Sequence, residues 1–145
     1  MELRSVEELM DLLYACRGVR EAGDTADLHD HALRTAALLR RTRPADKELQ
    51  LTGLVHPVGR LLCPTDPAGR AVRTADAVRP LLGVRVAGLL RRHPWPGHLA
   101  DDDLARLAHA DEEARAAGFD AGVLEDWRTV LHLVASRNSP LGAVD

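Results

Sequence analysis

Three of the seven histidines, His31, His56 and His93, lie in stretches of helical spacing at positions expected to face inward. Asp111 lies on the inner face of a later stretch of the same kind. An imidazole supplies a neutral nitrogen ligand, or an acid–base group that titrates near neutral pH. A buried carboxylate is costly unless a cation or several donors offset its charge. Imidazoles and a carboxylate converging from separate helices therefore form a ligand set for a transition metal. Without a metal they form a general acid–base pocket. Each residue also has a plainer reading. A single inward His is often a hydrogen-bonded core residue, and Asp111 could pair with Arg115 one helical turn on. It is the order of all four along the chain that favours a site.

Other residues are candidates around that pocket. Arg60 could bind a phosphate, phosphonate or carboxylate, or be a solvated surface residue. Trp95 and His98 flank a proline-locked turn, Pro94-Trp95-Pro96-Gly97, and could form a lid; the alternative is a rigid turn with Trp95 capping the core. Of His29 and His31, two apart on a helix, only one can face the pocket. Asp101-Asp102-Asp103 reads as a solvated helix start, and Cys63, lacking an activating base, as structural.

The elements that would carry these residues are all helical. Ser5-Val6-Glu7-Glu8 is a capping box, and Val6, Leu9, Met10 and Leu13 follow on one face, predicting a helix over 5–21 closed by Gly23. A second helix starts near Asp24 or Thr25 and turns Leu28, His31, Ala32, Thr35, Ala36 and Leu39 inward; Pro44 closes it. A third starts near Ala45, carries Leu49, Thr52 and His56, and is expected to be disturbed at Pro57, which lacks an N–H and disfavours helical geometry at His56. Further helices are predicted over 70–79, broken by Pro80 and Gly83, and over 84–93. The last two run from the Asp101 cluster to Gly118, and over 121–137 with Val123, Trp127, Val130, Leu131 and Val134 buried. The expected fold is all-α: one domain, residues 1–145, of six to seven helices.

Composition agrees. Hydrophobic residues make up 46% and charged residues 28%, as in ordinary globular proteins. Aromatics are 3% and Ile is absent, so Leu, Val and Ala must build the core, and Leu and Ala favour helix. The net charge of −3 is spread along the chain without a basic stripe, so no nucleic-acid partner is expected. No segment has the length and apolarity of a membrane span, no N-terminal leader pattern is present, and a cytoplasmic location is expected. Cys16 and Cys63 are too few and too far apart for a disulfide framework or a cysteine metal site.

Three segments together resemble the HD superfamily. Leu28-His29-Asp30-His31-Ala32 resembles its first motif. Leu54-Val55-His56-Pro57-Val58-Gly59 resembles its second, usually apolar-apolar-His-Asp-apolar-Gly, and Ala108-His109-Ala110-Asp111 resembles its late Ala-Asp motif. The branch it looks most like is the HD-domain oxygenases, the group with inositol oxygenase and the phosphonate-cleaving diiron enzymes. The similarity spans Leu28 to Gly118. It implies an HD-type helical bundle with metal positions at His31, His56, His93 and Asp111. Two positions depart from it: the dyad carboxylate is Pro57, and 70–75 supplies no His. Without a bridging carboxylate two adjacent cations repel, so a diiron centre is not expected.

The sequence-level expectation is thus an HD-type enzyme that has lost the diiron site. It would act on a small polar metabolite by metal-independent acid–base chemistry at His31, His56, His93 and Asp111, with no cofactor. Two alternatives accompany it. One is a non-catalytic HD pseudoenzyme that binds a ligand or partner. The other is a mononuclear phosphohydrolase or oxygenase with Fe or Mn on His31, His56 and Asp111.

Overall fold

A computed structural model describes residues 2–96, 101–116 and 118–138. The chain is all-helical, and no strand occurs among the described residues. The helices are α1 (Val6–Ala15), α2 (Leu28–Thr42), α3 (Lys47–Val55), the single-turn α4 (Gly59–Leu62), α5 (Arg70–Leu82), α6 (Val84–Arg91), α7 (Asp102–Ala116) and α8 (Arg128–Asn138). No described helix is long and apolar enough to cross a membrane.

Helix α1 starts as expected, with Ser5 Oγ accepting the Glu8 N–H at 3.1 Å. The return half of the capping box is shifted: Glu8 Oε1 accepts from the Arg4 N–H at 3.0 Å. Val6, Leu9, Met10 and Leu13 are buried. The helix stops at Ala15, well short of residue 21, and the chain turns at Gly18, whose φ of 78° suits glycine. One carboxylate explains both this early stop and the late start of α2. Asp27 accepts the Gly18 N–H at 2.9 Å and the Asp30 N–H at 2.8 Å, so it closes the intervening loop and caps α2. Burial works against its ionisation, but these two N–H groups hold its pKa below the ordinary value.

Helix α2 is the central element, packed on both α3 and α7. Leu28, His31, Ala32, Thr35, Ala36 and Leu39 are buried as the spacing predicts, and His29, Leu33, Ala37 and Leu38 are buried as well. Helix α3 crosses it closely at Gly53: a methyl group there would lie 2.4 Å from Leu39 Cδ1 and 3.1 Å from Thr35 Cγ2.

The expected disturbance at Pro57 takes a milder form. The chain tightens into a 3₁₀ turn over His56–Val58 and continues into α4. His56 itself keeps helical geometry (φ −56°, ψ −33°), so Pro57 does not displace it from the helix. The carbonyl that the N–H of residue 57 would meet in a regular helix is that of Gly53. It accepts the His56 ring instead, at 2.6 Å from Nδ1.

Pro80 likewise does not break its helix. It sits inside α5, which runs on to Leu82 and ends at Gly83 (φ 95°). Asp76, whose carbonyl loses a partner to Pro80, lies on the exposed face, while Leu81 and Leu82 are buried and hold the last turn down. At the C-terminal end a 3₁₀ turn, Leu124–Trp127, precedes α8. Val123, expected inside, is 58% exposed because it lies before that turn in extended geometry.

The main core joins α1, α2, α3, α5, α6 and α8 through aliphatic side chains and Trp127. A smaller cluster of Leu38, Leu39, Leu49, Leu104, Leu107 and Trp95 ties α7 to the other side of α2. Arg85 on α6 binds Asp46 (2.7 and 2.8 Å), Glu48 (3.2 Å) and Asp103 (3.1 Å). Arg43 pairs with Asp102. Of the three acids at the start of α7, Asp101 caps the helix and the other two are ion-paired, not merely solvated.

Candidate metal centre

Three helices and one turn converge on a single carboxylate. Asp111 on α7 is buried, and the side chains of His31 (α2), His56 (end of α3) and His93 (after α6) point their Nε2 atoms at it. His31 Nε2 lies 2.7 Å from Asp111 Oδ1, a short hydrogen bond. His56 Nε2 lies 3.3 Å from the same oxygen, and His93 Nε2 lies 3.8 Å from Oδ2. Arg115, one turn along α7, brings Nη2 to 3.5 Å of Oδ1, so the plainer pairing read from the sequence is present too.

The protonation of His56 follows from its surroundings. Its Nδ1 faces the Gly53 carbonyl at 2.6 Å, so Nδ1 carries the proton and donates it. Burial pushes its pKa down to about 4, against the pull of Asp111, so the ring is neutral at neutral pH. Its Nε2 then presents a lone pair to a carboxylate oxygen. Burial also opposes ionisation of Asp111, but the imidazoles, led by the His31 hydrogen bond, hold its pKa well below the usual carboxylate range. His93 Nε2 is buried and makes no hydrogen bond among the described residues, since 3.8 Å to Asp111 is too long for one. The His56 lone pair is thus aimed at an anion, with the unpartnered His93 nitrogen beside it.

A metal ion suits this arrangement. Nitrogen and oxygen ligands bound at about 2.0–2.2 Å stand roughly 3.0–3.5 Å apart around one cation. The separations of 2.7, 3.3 and 3.8 Å bracket that spacing. His31, His56 and Asp111 are close enough together to share an ion. The Gly53 carbonyl behind His56 is the kind of partner that ligand histidines use to fix their tautomer.

A pocket of about 90 Å³ opens on the three histidines and is also lined by Pro57, Arg60 and Arg70. Arg60 lines that pocket, with Nη1 3.2 Å from Glu21 Oε2 of the α1–α2 loop. The lid expectation for Trp95 is corrected. Trp95 is buried behind the site, donates Nε1–H to the Leu89 carbonyl at 3.0 Å, and packs against His56 and His93 at ring-centroid distances of 5.2 and 4.6 Å. Its ring fixes two imidazoles instead of covering a ligand. His98 lies outside the described residues. His29 is buried apart from the centre, stacked on Tyr14 at 6.2 Å, as the single-face argument requires. Cys63 donates to the Asp66 carbonyl.

Sequence reasoning missed Arg70 and Glu21 as pocket residues. Neither belongs to a pattern that marks it; Glu21 sits in a loop that the sequence reads as helix. It also missed that Pro57 frees the acceptor for His56. A proline four residues after a glycine and one after a histidine was the available signal.

Compared with models of known protein families, the sequence matches none. No curated protein matches it either.

Proposed function

We propose that the chain is a small HD-type enzyme that holds one divalent transition metal on His31, His56 and Asp111, with His93 beside them, and hydrolyses a small polar metabolite bound in the adjoining pocket. One observation carries this reading. The neutral His56 ring, its Nδ1–H given to the Gly53 carbonyl, turns its Nε2 lone pair on Asp111 Oδ1 at 3.3 Å, and one cation held with His31 would satisfy both groups at once. When bound, such an ion supplies Lewis acidity toward a substrate oxygen.

The chain's own residues do the rest. The Gly53 carbonyl locks the His56 tautomer, and Trp95 holds the His56 and His93 rings. Arg115 offsets part of the Asp111 charge from outside. Pro57, on the pocket wall, offers no carboxylate to bridge a second cation, which supports a single-ion site. The order of the ligands along α2, α3 and α7 supports the HD-type reading. Two free buried cysteines are in keeping with a cytoplasmic location.

The metal-free acid–base reading has an observation of its own. His31 at 2.7 Å and Arg115 at 3.5 Å already offset the Asp111 charge, so an Asp111–His31 pair could move protons without an ion. Metal content and chelator sensitivity separate the two. Stoichiometric metal and turnover abolished by a chelator support the first; turnover on a panel of phosphate esters and small amides that survives exhaustive chelation supports the second.

A further inference from the structure

Three arginines line the pocket beside the histidine centre: Arg60, Arg70 and Arg115. Two of them face carboxylates. Arg60 lies 3.2 Å from Glu21, and Arg115 lies 3.5 Å from Asp111. Arg70 forms no ion pair among the described residues. Its guanidinium is instead gripped along one side by main-chain carbonyls, Nε donating to Cys63 O at 3.2 Å and Nη2 to Pro64 O at 3.5 Å. Those bonds leave Nη1 without a partner among the described residues, on an arginine that lines the cavity.

The stem of Arg70 is fixed as well. It passes so close to Gly59 that a methyl group there would lie 2.7 Å from Arg70 Cγ. A guanidinium with its stem packed and one edge bonded loses little freedom on binding a ligand, which favours tight recognition. Helix stability does not account for the placement. Arg70 is the first residue of α5, where the helix dipole favours negative charge over positive.

We propose that Arg70 is the anion-recognition residue of this pocket. It takes a small oxyanion, a carboxylate or a phosphate, and holds it beside the His31–His56–His93–Asp111 centre. Planar guanidinium groups bind both oxyanions through paired N–H···O bonds. The pocket, about 90 Å³, has room for a group of a few heavy atoms beyond the centre. The Arg60–Glu21 pair sits in the same wall and acts as a reserve: the Glu21 carboxylate holds back the second cation and repels a second anion.

This inference names the substrate class for the function proposed above and rests on that reading for the chemistry, but its test stands apart. Inorganic phosphate and, separately, acetate are titrated into the full-length protein, as purified and after metal loading, by calorimetry and by NMR of the arginine side chains. One saturable site is expected. Arg70→Gln should weaken it at least tenfold, Arg70→Lys three- to tenfold, and Arg60→Gln less than threefold. Glu21→Gln, which releases Arg60, should tighten it. Thermal melts of each variant check folding, and Arg70→Lys keeps the charge if Arg70→Gln proves unstable. Tighter phosphate binding supports a phosphate-bearing metabolite, and tighter acetate binding a carboxylate. No saturable binding of either anion, or equal binding by wild type and the folded Arg70 variants, overturns the proposal. Metal assayed on the same samples separates the two ideas. Arg70-dependent binding in protein that takes up no metal sinks the metal centre alone; bound metal with no anion site sinks the Arg70 assignment alone.

Discussion

Gly53→Ala and Gly88→Ala are the same chemical change in two helices, and the structure predicts opposite outcomes. At Gly88, exposed on α6, an added methyl group meets nothing within 4 Å. Only the intrinsic helix preference acts there, so Gly88→Ala should stabilise the protein by about 0.5–1 kcal/mol. At Gly53 the same preference is opposed by the α2–α3 crossing, where the methyl group would lie 2.4 Å from Leu39 Cδ1 and 3.1 Å from Thr35 Cγ2. Leu39 Cδ1 ends a flexible side chain and can yield in part, but Leu39 is itself buried in the second core cluster. Overpacking of this kind costs about 1–3 kcal/mol. Set against the helix gain, Gly53→Ala should be destabilising by up to about 2 kcal/mol, and because both variants share that gain they should stand about 1–3 kcal/mol apart. Urea unfolding at matched slope reads the difference directly. In a chain of this length each kcal/mol also moves the melting temperature by about 2–4 °C. Gly53→Ala as stable as Gly88→Ala, with the slope unchanged, would refute the close helix crossing that sets His31 against His56.

Two further predictions concern His56. Its pKa is about 4 in the folded protein and about 6.5 unfolded, so the unfolded chain binds the extra proton over that interval. Its contribution to stability is complete above pH 6.5 and is lost as the pH falls toward 4, on the order of 3 kcal/mol. Asp111, held below its ordinary value, adds to the loss at still lower pH. In chelator-treated protein, wild type should therefore lose stability between pH 6.5 and 4 more steeply than His56→Gln; parallel curves would contradict the assignment. Pro57→Ala restores an amide that competes with His56 Nδ1 for the Gly53 carbonyl, and loss of such a partner typically weakens a metal site about 10–100-fold. Pro57→Asp adds a carboxylate to the pocket wall and should bind metal more tightly than Pro57→Ala; dye competition measures both, and equal affinities across wild type and the two variants would count against the site.

The inward faces of the helices were legible because burial repeats with the helical period. Leu9, Leu13, His31, His56 and Asp111 are all buried where that period puts them. What local pattern does not encode was harder to read. Asp27 ends one loop and starts α2 by binding N–H groups on both sides of itself, a tertiary choice that no window around residue 21 contains. Pro80 reads as a breaker because sequence does not say that Asp76 faces water. Pro57 reads as damage for a related reason: the lost amide bond is visible in sequence, and the ring nitrogen that replaces it is not. Arg70 is distinguished only by elimination, once Arg60 and Arg115 are seen beside their carboxylates.

Elemental analysis of protein purified without chelator tests the central claim most directly. The account predicts about one divalent transition-metal ion per chain, retained through gel filtration and lost in Asp111→Asn and in His56→Gln. Wild-type protein that stays metal-free after incubation with Fe²⁺, Mn²⁺ and Zn²⁺, or Asp111→Asn that holds as much metal as wild type, would contradict it.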